Sequence, residues 1–328
     1  MFEKMSEKFN IVEKFNVFGI IALLLCLVGI VSLVLLPFGV QLFNLDIDFA
    51  GGTVITYRMP VELNSDDYTK IENIAKEATQ VDVSVNKYGN ATDVVLKSDV
   101  LDDTQLAALY AALNAEYNIE PVTEVQTSET ETPVEENNEV EIAAGKLSCE
   151  TVSPIMSDDL RNAAIIATIL AVLLMLVYIA IRFDIRSGVA AVAALLHDVL
   201  IVIGSYVIFR IPLNLTFIAV ILTILGYSIN ATIIIFDRVR ENKKTMRKTS
   251  FDDIVNKSIW QTATRSINTT ITTLLTISMV AIFGAIFAID SIRDFAIPLV
   301  VGIIAGLYSS MFISGPIWAK LTKSSKKA

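Results

Sequence analysis

The sequence is poor in the residues that build disulfide frameworks, metal sites and nucleophilic active sites. Its 328 residues include two cysteines and one histidine. This scarcity excludes a secreted disulfide scaffold, and no Cys or His spacing predicts a metal or other cofactor. Cys26 lies in an apolar run and Cys149 in an acidic region, so both are expected to be free thiols. The sequence contains no Walker A loop and no supported Ser/His/Asp set, so enzyme activity is not expected.

Basic residues are also scarce. Lys and Arg number 26 against 35 Asp and Glu, which gives a net charge of -9 and argues against a nucleic-acid binder. Phe43–Arg161 holds 24 acidic and 7 basic residues, whereas the rest of the chain holds 11 and 19. Membrane proteins segregate charge in this way, because translocated and retained segments obey different charge rules. The mean hydropathy of +0.59 indicates the same class.

Long apolar runs predict six membrane-spanning helices, since a bilayer core about 30 Å thick needs roughly 20 apolar residues per helix. The first run is longer than a signal-peptide core and is therefore predicted to be a retained anchor. Residues 1–16 form an N-terminal segment, 237–265 a basic and amphipathic connection, and 320–328 a tail. The predicted spans are 17–38, 162–181, 187–209, 211–236, 266–289 and 295–319.

The distribution of Lys and Arg predicts the orientation of these spans. Six spans bring the N-terminal segment, the turn after the second span, the 237–265 connection and the tail to one side, and these segments are rich in Lys and Arg. Both termini are therefore expected in the cytoplasm. Asn242–Trp260 is expected to lie along the membrane surface, where anionic lipid attracts its lysines, or alternatively to contact a cytosolic partner.

The acidic region, residues 39–160, is long enough to form a domain outside the cytoplasm. Its periodicities follow the order β-α-β-β-α-β, which predicts a small ferredoxin-like α+β domain. An insertion at about 128–145 contains Ser128–Glu141, with six Glu and no Lys, Arg or aromatic residue. It is predicted to be disordered, with a functional acidic segment as the alternative. The predicted strands are 53–59, 81–88 and 92–97, with one or two further strands in 119–125 and 146–152. The predicted helices are 66–79 and 103–117, and Gly89-Asn90 forms a turn.

Polar residues inside the spans are candidate functional groups, because a charge at the bilayer centre costs at least a few kcal/mol. His197 and Asp198 lie in the third span. Each is either part of a proton relay or a hydrogen bonder between helices. Adjacent helix positions are about 100° apart, so at most one of the two is expected to face a given relay.

The fourth and fifth spans carry further polar stripes. They are either surfaces of a proton path or packing faces of small residues. Arg265 lies at the start of the polar stripe on the fifth span. It either belongs to that path or extends to the membrane interface. Four charged residues that end the fourth span are expected to pair as ions: Asp237, Arg238, Arg240 and Glu241. The stripes comprise Thr223, Gly226 and Asn230 with Tyr227 and Thr232 nearby, and Arg265, Thr269, Thr272 and Thr276.

Several motifs occur together in a set order. Together they closely resemble the SecF family, the smaller membrane subunit of the bacterial SecD–SecF protein-export complex. The resemblance covers nearly the whole chain except the acidic insertion, and Val152-Ser153-Pro154 resembles the family's approach to the second span with Ser153 in place of Gly. The motifs are Asp48-Phe49-Ala50-Gly51-Gly52, His197-Asp198, Gly226-Tyr227-Ser228-Ile229-Asn230, and the exit Asp237-Arg238 followed by Glu241-Asn242.

That resemblance implies an α-helical protein of the bacterial plasma membrane whose six helices form half of an RND-type bundle. It implies a SecD-like subunit as the other half, the SecYEG channel as a further partner, and SecA as an indirect one. The substrate is then an exported polypeptide, and the proton-motive force drives the late stages of its export. The alternatives are half of an RND-type small-molecule exporter and an uncoupled scaffold of the Sec channel. Membrane lipid is an expected partner, and nucleic acid is not.

One departure from the family bears on mechanism. The resemblance implies an Asp after Gly-Tyr-Ser-Ile-Asn, a carboxylate proposed to relay protons, but this chain has Ala231. The family's basic partner is kept as Arg265. Three explanations compete: Asp198 takes over, the carboxylate of the SecD-like half suffices, or this subunit is an uncoupled scaffold. We favour the second, because the SecD half of the family carries its own carboxylate in the equivalent helix.

Overall fold

The structure, a computed structural model, describes residues 9–38, 40, 42–87, 92–119, 146–287 and 289–324. The chain divides into two compact units, one formed by Met1–Leu45 with Asn162–Ala328 and the other by Asp46–Arg161. The Gly89-Asn90 turn and the acidic insertion lie outside the described residues. So does the strand predicted at 119–125, apart from Ile119.

The six predicted spans are confirmed as six long apolar helices in the described part of the chain. Such helices satisfy their own backbone hydrogen bonds, as a membrane interior requires. The spans are α1, α5, α6, α7, α8, and α9 continued by α10. In chain order the helices are α1 (Phe15–Leu35), α2 (Ile47–Ala50), α3 (Ser65–Thr79), α4 (Asp103–Tyr117), α5 (Pro154–Arg182), α6 (Ile185–Ile208), α7 (Leu215–Thr245), α8 (Phe251–Ile286), α9 (Asp290–Ser309) and α10 (Gly315–Ser324).

Helix α6 lies at the centre of the first unit and packs against α1, α7 and α9. The last span is even more buried than α6, whereas α5 and α8 leave most of their apolar windows exposed. Between α9 and α10 the chain forms one π-helical segment, Ser310–Ser314. Such a segment locally widens a helix and is frequent at functional sites. Here it turns several serines into the bundle.

Two glycines allow α1 and α6 to cross with their backbones in contact. A Cβ added to Gly29 would lie 2.1 Å from the carbonyl oxygen of Leu200, and a Cβ on Gly204 would lie 3.2 Å from the backbone nitrogen of Gly29. Small residues permit this close approach, which is a main source of packing energy between membrane helices. The position of α1 therefore depends on Gly29.

Helix α8 corrects the predicted course of the 237–265 connection. Helix α7 continues to Thr245, and α8 begins at Phe251 with Ser250 as its N-cap, whose hydroxyl accepts from the backbone of Asp253. Asn242–Trp260 is therefore not one surface segment. The predicted boundary before residue 266 is not a helix end, because α8 is continuous from Phe251 to Ile286. Ile254, Val255, Ile259 and Trp260 of this stretch are buried.

The second unit is a four-stranded antiparallel sheet with α3 and α4. Its elements follow one another as β2-α3-β3-β4-α4-β5, and the strands lie in the order β3-β4-β2-β5. Apolar residues that alternate along the strands meet one face of each helix in a common core, with Ile55, Leu96, Ile71 and Leu109 fully buried. The strands are β1 (Asn44–Leu45), β2 (Gly52–Arg58), β3 (Val83–Lys87), β4 (Asp93–Ser98), β5 (Lys146–Val152) and β6 (Pro212–Leu213), with β1 and β6 paired in parallel in the first unit.

The Asp-Phe-Ala-Gly-Gly motif forms the turn that leads into β2. Asp48 and Phe49 belong to the short helix α2. Gly51 and Gly52 have φ angles of 75° and 132°, which other residues rarely adopt. A Cβ on Gly52 would also lie 2.5 Å from the carbonyl oxygen of Ser98 in β4. The glycine pair is therefore required by both the turn and the close approach of two strands.

Gly29→Ala is expected to lower the free energy of unfolding by about 1–3 kcal/mol, because the added methyl group meets backbone that cannot give way. Gly19→Ala is the matched control on the same helix, since its Cβ would meet only Phe15 of the preceding turn, at 3.8 Å. Denaturant unfolding in detergent, followed by tryptophan fluorescence, measures both variants. Equal stability of the two variants would contradict the close crossing of α1 and α6.

Candidate functional site

Asp198 on α6 is the centre of a cluster of polar side chains buried among the spans. The residue is 0% exposed. Ser228 of α7 donates a hydrogen bond to its Oδ2 at 2.5 Å, and Ser309 of α9 donates to the same oxygen at 2.8 Å. The carboxylate thereby joins three helices and has the partners that a buried charge requires.

His197 binds the other oxygen of Asp198, with Nδ1 2.9 Å from Oδ1. We expect at most one of these adjacent residues to face a given relay, yet the two side chains contact each other. His197 stacks on Tyr308 of α9 with a centroid distance of 5.8 Å, and Asp198 binds Ser309 of the same helix. Both side chains are therefore directed towards α9, although their Cβ atoms leave α6 in different directions. Nε2 of His197 has no hydrogen-bond partner among the described residues.

The π-helical segment extends this cluster. Ser310 lies 3.1 Å from the hydroxyl of Thr232 and donates to the backbone oxygen of Ser228 at 3.4 Å. The sequence analysis did not identify Ser309 and Ser310, although consecutive serines inside the last apolar run are a usable signal. We call this group the buried polar cluster: His197, Asp198, Ser228, Thr232, Ser309 and Ser310.

The buried polar cluster is suited to hold helices together. Both oxygens of Asp198 are hydrogen-bonded within this cluster. Between this cluster and Arg265 the described residues form no hydrogen bond. The geometry therefore favours Asp198 as a hydrogen bonder between helices over the explanation in which it replaces the missing family carboxylate.

A second set of polar residues faces outward from α7 and α8. Asn230, Arg265 and Thr269 are exposed, and Arg265 pairs with no carboxylate in the part of the chain that the structure describes. Gly226 is also exposed, and a Cβ there would have no atom within 4 Å. We call this set the exposed polar face: Thr223, Gly226 and Asn230 of α7, and Arg265, Thr269, Thr272 and Thr276 of α8.

Contacts between α7 and α8 show where Ala231 lies relative to Arg265. The hydroxyl of Tyr227 donates to Thr270 at 3.1 Å, and Nε of Arg238 donates to Gln261 at 2.7 Å. Interpolation along these antiparallel helices puts half-buried Ala231 opposite about residue 267, roughly half a helical turn from Arg265. Ala231, which replaces the family's Asp, and the retained Arg265 therefore lie at similar heights along the two helices.

The exit motif of α7 attaches this helix to α8. Asn242 is buried and its Nδ2 donates at 2.8 Å to Ser258 and at 2.8 Å to Gln261. Gln261 also accepts from Arg238. Asn242 and Arg238 of the motif therefore have a structural role, which is to connect α7 to α8.

The expected ion pairs at the end of α7 are present. Asp237 lies 3.1 Å from Arg182 of α5 and 3.8 Å from Arg240, and Arg238 lies 2.8 Å from Glu241. All these pairs are at least partly exposed, so each contributes about 0–1 kcal/mol.

The described residues include no group of three or more His, Cys, Asp and Glu side chains that could hold a metal ion.

Comparison with known proteins decides the family. The family model described as "Protein export membrane protein SecD/SecF, C-terminal" matches residues 133–324. The protein translocase subunit SecF of Petrotoga mobilis is 34% identical over 287 residues, which cover 87% of this chain and 88% of the relative. The chain belongs to the SecF family. Its six apolar helices agree with a multi-pass protein of the plasma membrane.

Other SecF-family comparisons cover smaller parts of their counterparts. The SecF of Alicyclobacillus acidocaldarius is 42% identical over 186 residues, with 56% of this chain and 59% of the relative covered. A crystal structure of SecDF from Thermus thermophilus, described as a translocon-associated membrane protein, matches with a TM-score of 0.74 and 30% identity. The match covers 98% of this chain and 39% of the SecDF chain, so this chain corresponds to about two fifths of it.

Asp198→Ala is expected to lower the free energy of unfolding by about 1–3 kcal/mol, because Ser228, Ser309 and His197 lose a buried partner. Asp198→Asn keeps an acceptor oxygen for the two hydroxyls and should lose much less. Unfolding in detergent measures the stability of both variants, and growth of cells that carry Asp198→Asn measures function. A folded Asp198→Asn variant that does not support growth would instead assign Asp198 a role in proton transfer.

Proposed function

We propose that this chain is the SecF-like membrane subunit of a translocase accessory complex and assists late stages of polypeptide export. Its relatives are named protein translocase subunits, and the matched SecDF is described as translocon-associated. The exported polypeptide is the substrate, and the proton-motive force supplies the energy. In this role the chain moves a macromolecule and catalyses no bond cleavage.

The observation that carries this proposal is the exposed polar face. Arg265, Asn230 and Thr269 are exposed on spanning helices, and α8 also exposes apolar residues such as Leu275 and Ile271. Arginine and asparagine are costly against lipid and normally face a bundle or an aqueous cavity. A second set of helices is therefore expected to cover the exposed polar face. Relatives in which SecD and SecF form one SecDF chain support a SecD-like half in this place.

The exposed polar face also supports the proton-coupled role. Ala231 cannot titrate, so the carboxylate that faces Arg265 comes from the SecD-like half. Hydroxyls of Thr269, Thr272 and Thr276 continue along α8 from Arg265 and provide a path that can hydrate. Gly226 and Asn230 on α7 allow that half to approach closely and to form hydrogen bonds.

We further propose that both termini are cytoplasmic and that the second unit is an extracytoplasmic ferredoxin-like domain. The basic residues near the ends of α5 and α7 support this orientation by the positive-inside rule. The strand order β3-β4-β2-β5 with two helices on the β-α-β-β-α-β path supports the ferredoxin-like assignment. The domain then meets the emerging polypeptide, while SecYEG and SecA act at the channel.

An uncoupled scaffold of the Sec channel is the second candidate, and Ala231 is the observation that favours it. In that case the exposed polar face serves only to bind the SecD-like half. An RND-type small-molecule exporter fits less well, because α8 ends at Ile286 and α9 begins at Asp290, which leaves no room for a second large loop.

Depletion with complementation tests this function. Loss of the chain is expected to make signal-bearing precursors accumulate, and the unaltered chain restores export. Arg265→Gln is expected to fail, because the relay loses the positive charge that faces the carboxylate of the SecD-like half. Arg247→Gln removes the same charge from an exposed residue away from the polar face and should restore export.

Normal export in depleted cells would refute the export function. Export that is restored by Arg265→Gln and keeps its dependence on the proton gradient would refute the relay role of Arg265. If both the unaltered chain and Arg265→Gln restore export, and neither depends on the proton gradient, the chain is a scaffold.

A further inference from the structure

A basic cavity of about 250 Å³ lies where α5 ends and α6 begins, closed by the end of α7, the start of α8 and α10. Arg182, Arg186, Arg240 and Lys243 all line it. Drug-sized ligands occupy pockets of about 300–1,000 Å³, so this cavity suits a smaller group. Arginine and lysine together favour a phosphate among such groups.

Aromatic rings hold three of these cations in place. The guanidinium carbons of Arg182 and Arg240 lie 5.5 and 5.9 Å from the ring centre of Phe183, and Nζ of Lys243 lies 5.9 Å from that of Phe251. Phe183 is buried, so it is a fixed support. Cation–π contact positions a charge while leaving its N–H groups able to donate to a ligand.

The acids near the cavity do not neutralise it. Asp184 lines the wall, and Asp237 binds Arg182 and Arg240 from outside the lining. Three of the lining cations, Arg182, Arg240 and Lys243, therefore stand against these two carboxylates. The wall also includes the first turn of the 24-residue helix α6, whose N-cap Asp184 makes no side-chain cap. A helix start of this kind adds positive potential.

An apolar groove of about 430 Å³ adjoins the basic cavity. It lies between α5 and α6, is lined by Ile179, Gly188, Val189 and Val192 among others, and shares Asp184 with the basic cavity. Val189 is 52% exposed, so the groove is open along the outside of the bundle. Gly188 leaves the space that a larger side chain would fill. An apolar channel that starts beside a phosphate-sized basic cavity matches the two parts of a phospholipid.

We infer that this chain binds one membrane phospholipid here, with its phosphate in the basic cavity and an acyl chain in the groove between α5 and α6. A free phosphate ester offers the same chemistry to the cavity but has no use for the groove. The inference is independent of the export function, since it concerns a different face from the exposed polar face.

The full chain, purified in neutral detergent, is titrated with dioleoylphosphatidylglycerol and with glycerol 3-phosphate, and bound molecules are measured by native mass spectrometry. Lys243→Gln is expected to weaken phosphatidylglycerol binding about fivefold. Lys244→Gln, an equal charge change at the next exposed residue outside the cavity, should change it by less than about twofold.

The groove is tested with Gly188→Leu, which should also weaken phosphatidylglycerol binding, against Ala167→Leu on the exposed surface of α5, which should not. Unfolding temperatures confirm that each variant is folded. Equal losses for Lys243→Gln and Lys244→Gln would overturn the site in favour of general surface attraction. Tight glycerol 3-phosphate binding, with no effect of Gly188→Leu on either ligand, would assign the cavity to a free phosphate and overturn the lipid.

Discussion

The hydrocarbon interior of a membrane offers no hydrogen-bond partners, so each polar group on a spanning helix needs a partner from protein or trapped water. The buried polar cluster meets this need within the chain, because Asp198 receives hydrogen bonds from Ser228 and Ser309 of two other helices. The exposed polar face does not. Arg265 and Asn230 have no such cover within the described chain, and we propose that a partner provides it.

The helix packing explains how the buried polar cluster is satisfied. Gly29 and Gly204 bring α1 against α6, and Gly306 of α9 approaches Ser228 so closely that a Cβ would lie 3.2 Å from the Ser228 Cβ. The π-helical segment then turns Ser310 towards Thr232. Small residues and one irregular turn thus bring hydroxyl donors from neighbouring helices to the buried Asp198.

Local patterns allow much of the fold to be predicted. Long apolar runs identify the spans, and the spacing of Leu106, Leu109 and Leu113 identifies α4 with the bounds that the structure has. The start of α8 is not predictable from charge, because the charged residues of 251–265 lie on the same continuous helix as the span. The contact between His197 and Asp198 depends on how α9 packs against α6. Residue spacing on α6 alone does not predict that packing. The contacts of Ser309 and Ser310 likewise cannot be identified from the sequence alone, because their partners, Asp198 and Thr232, lie on other helices.

The central claim is that the exposed polar face is covered by a SecD-like half. A photoreactive amino acid at Thr272 of α8, compared with one at Leu174 on the 62% exposed outer surface of α5, tests this most directly in intact membranes. The account predicts that Thr272 cross-links to the SecD-like subunit and that Leu174 does not. Cross-linking of Thr272 to lipid alone, at the level seen for Leu174, would contradict it.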